Sequence, residues 1–449
     1  LIIGIQNYKK RRKESEFFSK RRKITCLKVR LMLFFGIITV RFTILFTMLT
    51  SQKHLFSLPD DVHYLNCAYM SPLLKNVEEA GLKGISKKRH PYLINGEDFF
   101  TLPTEARKLF ATLVNADTED SITLLPSVSY GMAVVAKNLH ATMGQNIVTV
   151  EGEFPSNVYA WKSFIQHGVE LRLVAPPERY SAESNPATMT IEGIDFEPTT
   201  RGERWNDAIL NAIDENTALV VLCPIHWADG TYFDLEVIGD AARAVGALFV
   251  IDGTQSIGAM PFDIETVKPD AVIASSYKCM MGAYSIGCAY WGERFATAIP
   301  IEESWMGRYG SEDFRNLVKY QDQYQQGKNR LGMGEQSNFA LVPMLKAALE
   351  QLLQWQPAQI QAYCATLNQP IIDFCRTNDL WLEEPHWRAE HLFGIRIDKR
   401  ISVEKLQDAL KKRNVFVSLR GDSIRISPNV YNTTEDIEAL LLAIKESIA

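Results

Sequence analysis

The sequence predicts an α/β protein: a mostly parallel central sheet covered by helices, followed by a smaller α+β C-terminal domain. Three observations predict it. From residue 120 to 292 short apolar runs alternate with helical patterns, as successive βαβ units do. Most of the runs are rich in β-branched or aromatic residues and apolar on both faces, as strands covered by helices on two sides should be. After about residue 305 the alternation gives way to shorter, mixed patterns.

In chain order the expected strands are SITLLPS (121–127), NIVTVEG (146–152), ELRLVAP (170–176), ALVVLCP (218–224), ALFVIDG (247–253), DAVIASS (270–276) and GCAYWGE (287–293). Helical spacing falls between them, at Tyr130 to Leu139 and at Glu236 to Val245. Residues 178–204 are polar, contain Pro and Thr, and are expected to form an exposed excursion. A polar stretch over 308–337 leads to a helix in ALVPMLKAALEQLLQW. The tail then reads HLFGIRI, the helix SVEKLQDALKKRN, VFVSLRG, SIRISP and the helix TTEDIEALLLAIKESI. The last helix opens with Thr433-x-x-Asp436, a relative of the capping box with Asp in place of Glu or Gln. A large domain over 65–305 and a small one from 48–64 and 306–449 are expected.

At 449 residues the chain exceeds one ordinary core of roughly 100 to 200 residues, so a large enzyme fold or two domains is expected. Apolar residues at 46% and charged residues at 22% exclude collagen-like, disordered and disulfide-scaffold chains. The cysteines, Cys26, Cys67, Cys223, Cys279, Cys288, Cys364 and Cys375, are odd in number, scattered, and form no C-x-x-C pair. Neither a disulfide framework nor a metal site is expected, and a reducing, cytoplasmic compartment fits.

Charge is unevenly placed. Residues 1–47 hold 12 of the 48 Lys and Arg but two of the 53 Asp and Glu, leaving 36 basic against 51 acidic residues beyond them. By charge the body binds no nucleic acid. Ahead of it, KKRRK (9–13) and KRRK (20–23) precede LMLFFGIITVRFTILFTMLT (31–50), long enough to span a bilayer but interrupted by Arg41. Read literally this is a signal-anchor, and the protein a membrane-anchored binder. The reading adopted is that residues 1–47 are over-extended translation outside the fold, with Met48 opening a soluble N-terminus and no membrane contact for the body.

In open parallel sheets ligands lie beyond the carboxyl ends of the strands. ALFVIDGTQSIGAMPFDI leaves Asp252 and Gln255 there, and DAVIASSYKCMMG leaves Ser275, Ser276, Tyr277 and Lys278. Alone, such an Asp is commonly a turn former and such a Lys is solvated. Together they present the amine and carboxylate that a pyridoxal phosphate site requires. The Lys forms the Schiff base, and the Asp keeps the ring nitrogen protonated so that the ring accepts electrons. The phosphate needs a cradle, and PSVSYGM (126–132), small hydroxyl residues between a strand and a helix, offers N–H groups and a helix dipole. Plain N-capping by Ser127 or Ser129 is the alternative. Neither G-x-G-x-x-G nor G-x-x-x-x-G-K-[ST] occurs, which disfavours a dinucleotide fold or a P-loop.

With YLNCAYMSP, PSVSYGM, EGEFPSNVYAW, HWADGTYFD, IDGTQSIGAMPFDI, ASSYKCMMG and SIRISPNVYNTTEDI in that order, the chain resembles the class V aminotransferase group of fold-type I pyridoxal phosphate enzymes from about residue 60 to 445. That group includes cysteine desulfurases, selenocysteine lyases, kynureninases and isopenicillin N epimerase-like proteins. The resemblance implies Lys278 as the Schiff-base lysine, Asp252 as the partner of the ring nitrogen and Gln255 facing the ring oxygen. It implies Phe154 stacked on the cofactor, with Val128, Ser129, Ser275 and Tyr277 around the phosphate. Trp227 stands where desulfurases carry an Asn, and His226 borders the substrate pocket. Arg425 is implied to clamp the substrate α-carboxylate, for which a guanidinium fork is suited. A homodimer is implied too, with Gln336 of GMGEQSNF reaching the neighbouring subunit's phosphate.

Two departures narrow the chemistry. Desulfurases place a reactive Cys just before the carboxylate arginine, where this chain reads VFVSLRGDSIRIS, and they carry His before the Schiff-base Lys, where Tyr277 stands. Cys279 directly follows Lys278 and is read as inert. The resemblance therefore implies a pyridoxal phosphate enzyme acting on an amino acid or related amine, most simply an aminotransferase. A lyase, a kynureninase-like hydrolase or an epimerase of the same group are the alternatives, and a catalytically silent scaffold is the alternative from another class.

Overall fold

The computed structural model describes residues 49–178 and 200–448, together with the backbone of two short strands, Met189–Ile191 and Ile194–Phe196. All lie within the unit Met48–Ala449. What the sequence predicts for residues 1–47, and for most of the 178–204 excursion, lies outside the described residues.

Seven strands form the central sheet: β1 (Ile122–Leu125), β2 (Asn146–Val150), β3 (Glu170–Val174), β4 (Thr217–Leu222), β5 (Leu248–Asp252), β6 (Ala271–Ser275) and β7 (Gly287–Trp291). Their spatial order is β1-β7-β6-β5-β4-β2-β3, and β7 alone runs against its neighbours, pairing antiparallel with β1 and β6. This is the mostly parallel α/β sheet the apolar runs predict. Six strands therefore end on the same side, and the polar residues after them share one rim. Strands β1, β2, β5 and β6 are buried at every position. Edge strand β3 departs from the expectation, because Glu170 and Leu173 are exposed there and only one neighbour pairs with it.

Helices cover the sheet. The first three are α1 (Lys75–Lys87), α2 (Thr101–Leu113) and α3 (Val128–Asn138); α4 (Arg201–Ala212) and α5 (Leu235–Ala244) follow. Helix α3 starts two residues before the predicted Tyr130, because the Ser127 hydroxyl accepts the Tyr130 N–H at 3.2 Å and caps it. Helix α4 corrects the excursion, which ends by Thr200: that residue caps the helix, and Arg201 and Gly202 are buried rather than exposed. Helix α6 (Leu341–Trp355) packs against α1 and α2 and buries Leu345, Leu349 and Leu352 in the same core as the sheet.

Helix α7 (Pro357–Thr377) falls where the apolar pattern assigns no element. Its buried stripe, Ile360, Cys364, Leu367, Ile371 and Cys375, has helical spacing, but two of the five are Cys and Pro370 lies within the helix. The tail follows as β8 (Phe393–Arg396), α8 (Val403–Lys412), β9 (Ser418–Arg420), β10 (Ser423–Ile426) and α9 (Thr434–Ser447). Strands β8, β10 and β9 pair in that order, all antiparallel, over a second core containing Ile371, Phe393, Ile424 and Leu440. The capping residue of α9 does double duty. Asp436 accepts the Thr433 N–H at 2.9 Å and pairs with His63 Nδ1 at 2.7 Å.

Candidate functional site

The carboxyl end of β5 delivers Asp252 into a buried position, where Oδ2 accepts from Asn157 Nδ2 at 2.9 Å and Oδ1 from the Thr254 N–H at 3.0 Å. Next to it, β6 runs into the loop carrying Ser275, Ser276, Tyr277 and Lys278. The Ser276 hydroxyl anchors that loop by donating to the carbonyls of Ala283 and Ile286, at 2.7 and 2.9 Å. Lys278 is buried, and its ammonium lies 5.3 Å from the Phe154 ring centroid and 5.5 Å from that of Tyr277. Burial pushes its pKa below the ordinary lysine value; Asp252 opposes this, while Arg425 and Arg420 add to it. Burial likewise pushes the Tyr277 phenol up to about 12.

Opposite the lysine loop stands the β9–β10 hairpin. Arg425 on β10 is 1% exposed, and Nη1 donates to the Trp227 carbonyl at 3.1 Å while Nη2 reaches Ser418 Oγ at 3.3 Å and Asn66 Oδ1 at 3.5 Å. None of these partners is a carboxylate. Burial, and after it the charge of Arg420, lowers its pKa to about 10. The segment YLNCAYMSP links the two halves: Asn66 joins Arg425 and Ser418, and the Ser71 N–H donates to the Tyr277 carbonyl at 3.0 Å.

A third wall comes from the turns after β2 and β4. Gly152, with φ of +75°, turns the chain so that its carbonyl accepts from Trp227 Nε1 at 2.7 Å and faces His226 Nε2 at 3.2 Å. Phe154 meets Trp227 edge-on, with centroids 5.6 Å apart. His226 is buried and bound at both ring nitrogens, Nδ1 lying 3.0 Å from Asp229 Oδ1. The sequence reading expects His226 to border the substrate pocket; in the structure both its ring nitrogens are engaged, and it holds the Gly152 turn against which Trp227 is fixed. Burial works against charging the His226 ring, but Asp229, Glu153 and the Gly152 carbonyl outweigh it and raise the imidazole above its usual pKa.

At the start of α3, Val128 and Ser129 are the first two helical residues, whose amides have no carbonyl four residues back to bond. Ser129 Oγ lies 3.1 Å from Ser156 Oγ, which follows Phe154 by two residues. The structure thus gathers Asp252, Lys278, Phe154, Tyr277, Trp227 and Arg425, with Val128, Ser129, Gln255 and Ser275 on the same rim. Gln336 sits apart, in a small cavity lined by Ser304, Met306 and Arg330. Sequence reasoning missed Asn157, Thr254, Asn66 and Ser418, which hold Asp252 and Arg425; the first three lie inside the motifs that carry the resemblance, and Ser418 inside VFVSLRGDSIRIS. Among the described residues, no group of three His, Cys, Asp or Glu is placed to hold a metal, and no helix is long and apolar enough to cross a membrane.

The family model described as aminotransferase class-V matches residues 95–193 and 184–440. The chain belongs to the class-V aminotransferase family. Among curated relatives, an uncharacterized aminotransferase of Bacillus subtilis is 24% identical over 338 residues, which cover 74% of this chain and 80% of the relative. The solved cysteine desulfurase of Thermococcus onnurineus superposes with a TM-score of 0.71 at 19% identity, over 89% of this chain and 98% of that one. A lysine-to-alanine variant of C-DES, with glycine covalently linked to its PLP cofactor, superposes at 0.70 and 19%, over 88% and 99%. The fold is thus fold-type I, and the protein is a pyridoxal phosphate-dependent aminotransferase or related lyase of class V.

The residues present fit that cofactor. Asn157 Oδ1, Gln255 Oε1 and Arg425 Nε are buried without a hydrogen-bond partner among the described residues. Leaving such atoms unpaired costs roughly 1–3 kcal/mol each, and a polar ligand bound there would satisfy them.

Proposed function

We propose that the protein is a transaminase acting on an amino acid, with Lys278 as the proton carrier and Arg425 as the carboxylate clamp. The observation that carries this reading is the pairing of a buried, pKa-lowered Lys278 with a buried Arg425 that has no carboxylate partner. Pyridoxal phosphate, when bound, supplies the electron sink that makes the substrate α-proton acidic.

In this reading the chain's own groups divide the work. The Val128 and Ser129 amides and the Ser129 and Ser275 hydroxyls hold the phosphate, with Tyr277 as a further donor. Asp252, fixed by Asn157 and Thr254, would hold a proton on the ring nitrogen, and Gln255 would be a neighbour of the ring oxygen. Phe154, buttressed edge-on by Trp227, would cover the cofactor and exclude water. Arg425 holds the α-carboxylate and so orients the Cα–H bond. Lys278, neutral more readily than an exposed lysine, would accept that proton at Nζ and carry it across the site.

The thiols favour transamination over persulfide formation. Every cysteine among the described residues is buried, burial raising Cys67 to about 11 and Cys279 well above the ordinary value, and none lies between Arg420 and Arg425. A homodimer in which Gln336 serves the neighbouring site, and a cytoplasmic setting for the unpaired thiols, belong to the same reading. A screen of amino acids against the holoenzyme tests it: some must yield an oxo acid in the amount of cofactor converted to its amine form. Lyase chemistry would instead release ammonia and leave the cofactor unconverted.

A further inference from the structure

One cation at the rim has no task in the reading above. Arg420, at the end of β9, is half-buried, and its guanidinium carbon lies 5.8 Å from the Trp227 ring centroid; that of Arg425 lies 5.9 Å from the same centroid. The strand register explains the pairing. Ser418 faces Arg425 and Arg420 faces Ser423, so the two arginines share one face of the hairpin on a diagonal, with Cα atoms roughly 7–8 Å apart.

Arg420 donates one hydrogen bond, to the Leu419 carbonyl at 3.0 Å, and forms no ion pair among the described residues. The acid of its own turn, Asp422, lies 3.7 Å from Arg396 instead. Arg420 lies over the same Trp227 ring as Arg425, on the same face of the hairpin, and its charge lowers the pKa of both Lys278 and Arg425. Two guanidiniums on one strand face repel each other, and an arrangement of this kind is stabilised when an anion arrives at each.

We propose that Arg420 is a specificity residue that seats a second carboxylate, and that the substrate is a dicarboxylic amino acid held at Arg425 by its α-carboxylate and at Arg420 by its side chain. This rests on the assignment of Arg425 to the α-carboxylate. Trp227 keeps the two cations at a fixed separation: its indole N–H is bound to Gly152 and its carbonyl to Arg425.

The test uses ligands without an amine, so that it does not depend on turnover. Calorimetric titration of the holoenzyme compares glutarate and succinate with pentanoate and butyrate. Wild type is expected to bind the diacids about 10- to 100-fold more tightly. Arg420→Gln should erase that preference while changing monoacid affinity by less than about threefold. Arg420→Lys should keep part of the preference, and the monoacid affinity doubles as a check that the variants fold. Equal losses for both ligand types in Arg420→Gln, or no diacid preference in wild type, would overturn the proposal. Diacid binding that depends on Arg420 in a holoenzyme that converts no amino acid would support it and refute the transaminase. Conversion of alanine without any diacid preference would do the reverse.

Discussion

Arg425 is among the largest fully buried side chains of the described residues, yet its partners are a carbonyl, a hydroxyl and an amide oxygen. A buried cation without a carboxylate is costly to maintain, which is why a substrate carboxylate is its natural counter-ion. Arg425→Ala should weaken binding of α-carboxylate substrates by about 2–5 kcal/mol, read as loss of affinity in a spectroscopic titration. An unchanged affinity would make Arg425 a structural residue of β10. For Lys278, the expectation is that Lys278→Ala abolishes both turnover and borohydride trapping of the cofactor on the protein; undiminished trapping would refute the assignment. Asp252→Asn retains the contact to Asn157 in shape but not the charge, so it should keep some cofactor and lose most activity. Wild-type turnover in that variant would reduce Asp252 to a turn former.

Behind the pocket, the elements are locked by ionic groups that no motif signals. Arg201, in the first turn of α4, reaches Asp229 at 3.0 Å and Glu383 at 2.9 Å from a site where all three are buried. Arg201→Met should destabilise the fold by about 3–5 kcal/mol, measured by denaturant unfolding, since it removes the cation that Glu383 pairs with and one of the two that face Asp229. His226 extends the cluster to the Gly152 turn. Its folded pKa is raised from 6.5, so its contribution is complete below that value and is lost as pH rises through the raised one. Thermal melting between about pH 6 and pH 9 should show stability falling with pH, and His226→Gln should flatten that slope; parallel curves would contradict the charged bridge. Asp252 and Lys278 are visible in the sequence because an apolar strand ending in a charge breaks a strong pattern. Arg201, Asp229 and Glu383 lie far apart in the chain, and only the fold brings them together. Helix α7 was hidden for another reason, its stripe being written partly in Cys with Pro370 inside it.

Among the described residues, the rim of the seven-stranded sheet collects chemistry from the turns after β1, β2, β4, β5 and β6, and the β9–β10 hairpin of the second sheet brings Arg425 to it. If the neighbouring subunit completes the phosphate site through Gln336, sedimentation should give a dimer, and a fully active monomer would contradict that. A chain starting at Met48 should be as active as a longer one, because every residue of the proposed site lies beyond it; loss of activity on removing residues 1–47 would favour the anchor reading. The most direct test of the central claim is a single-turnover reaction of holoenzyme with an amino acid donor and no acceptor. The account predicts one equivalent of oxo acid per active site, with the cofactor left in its amine form and activity restored by adding an oxo acid. Continuous release of ammonia, or sulfide release from cysteine with a protein-bound persulfide, would contradict it.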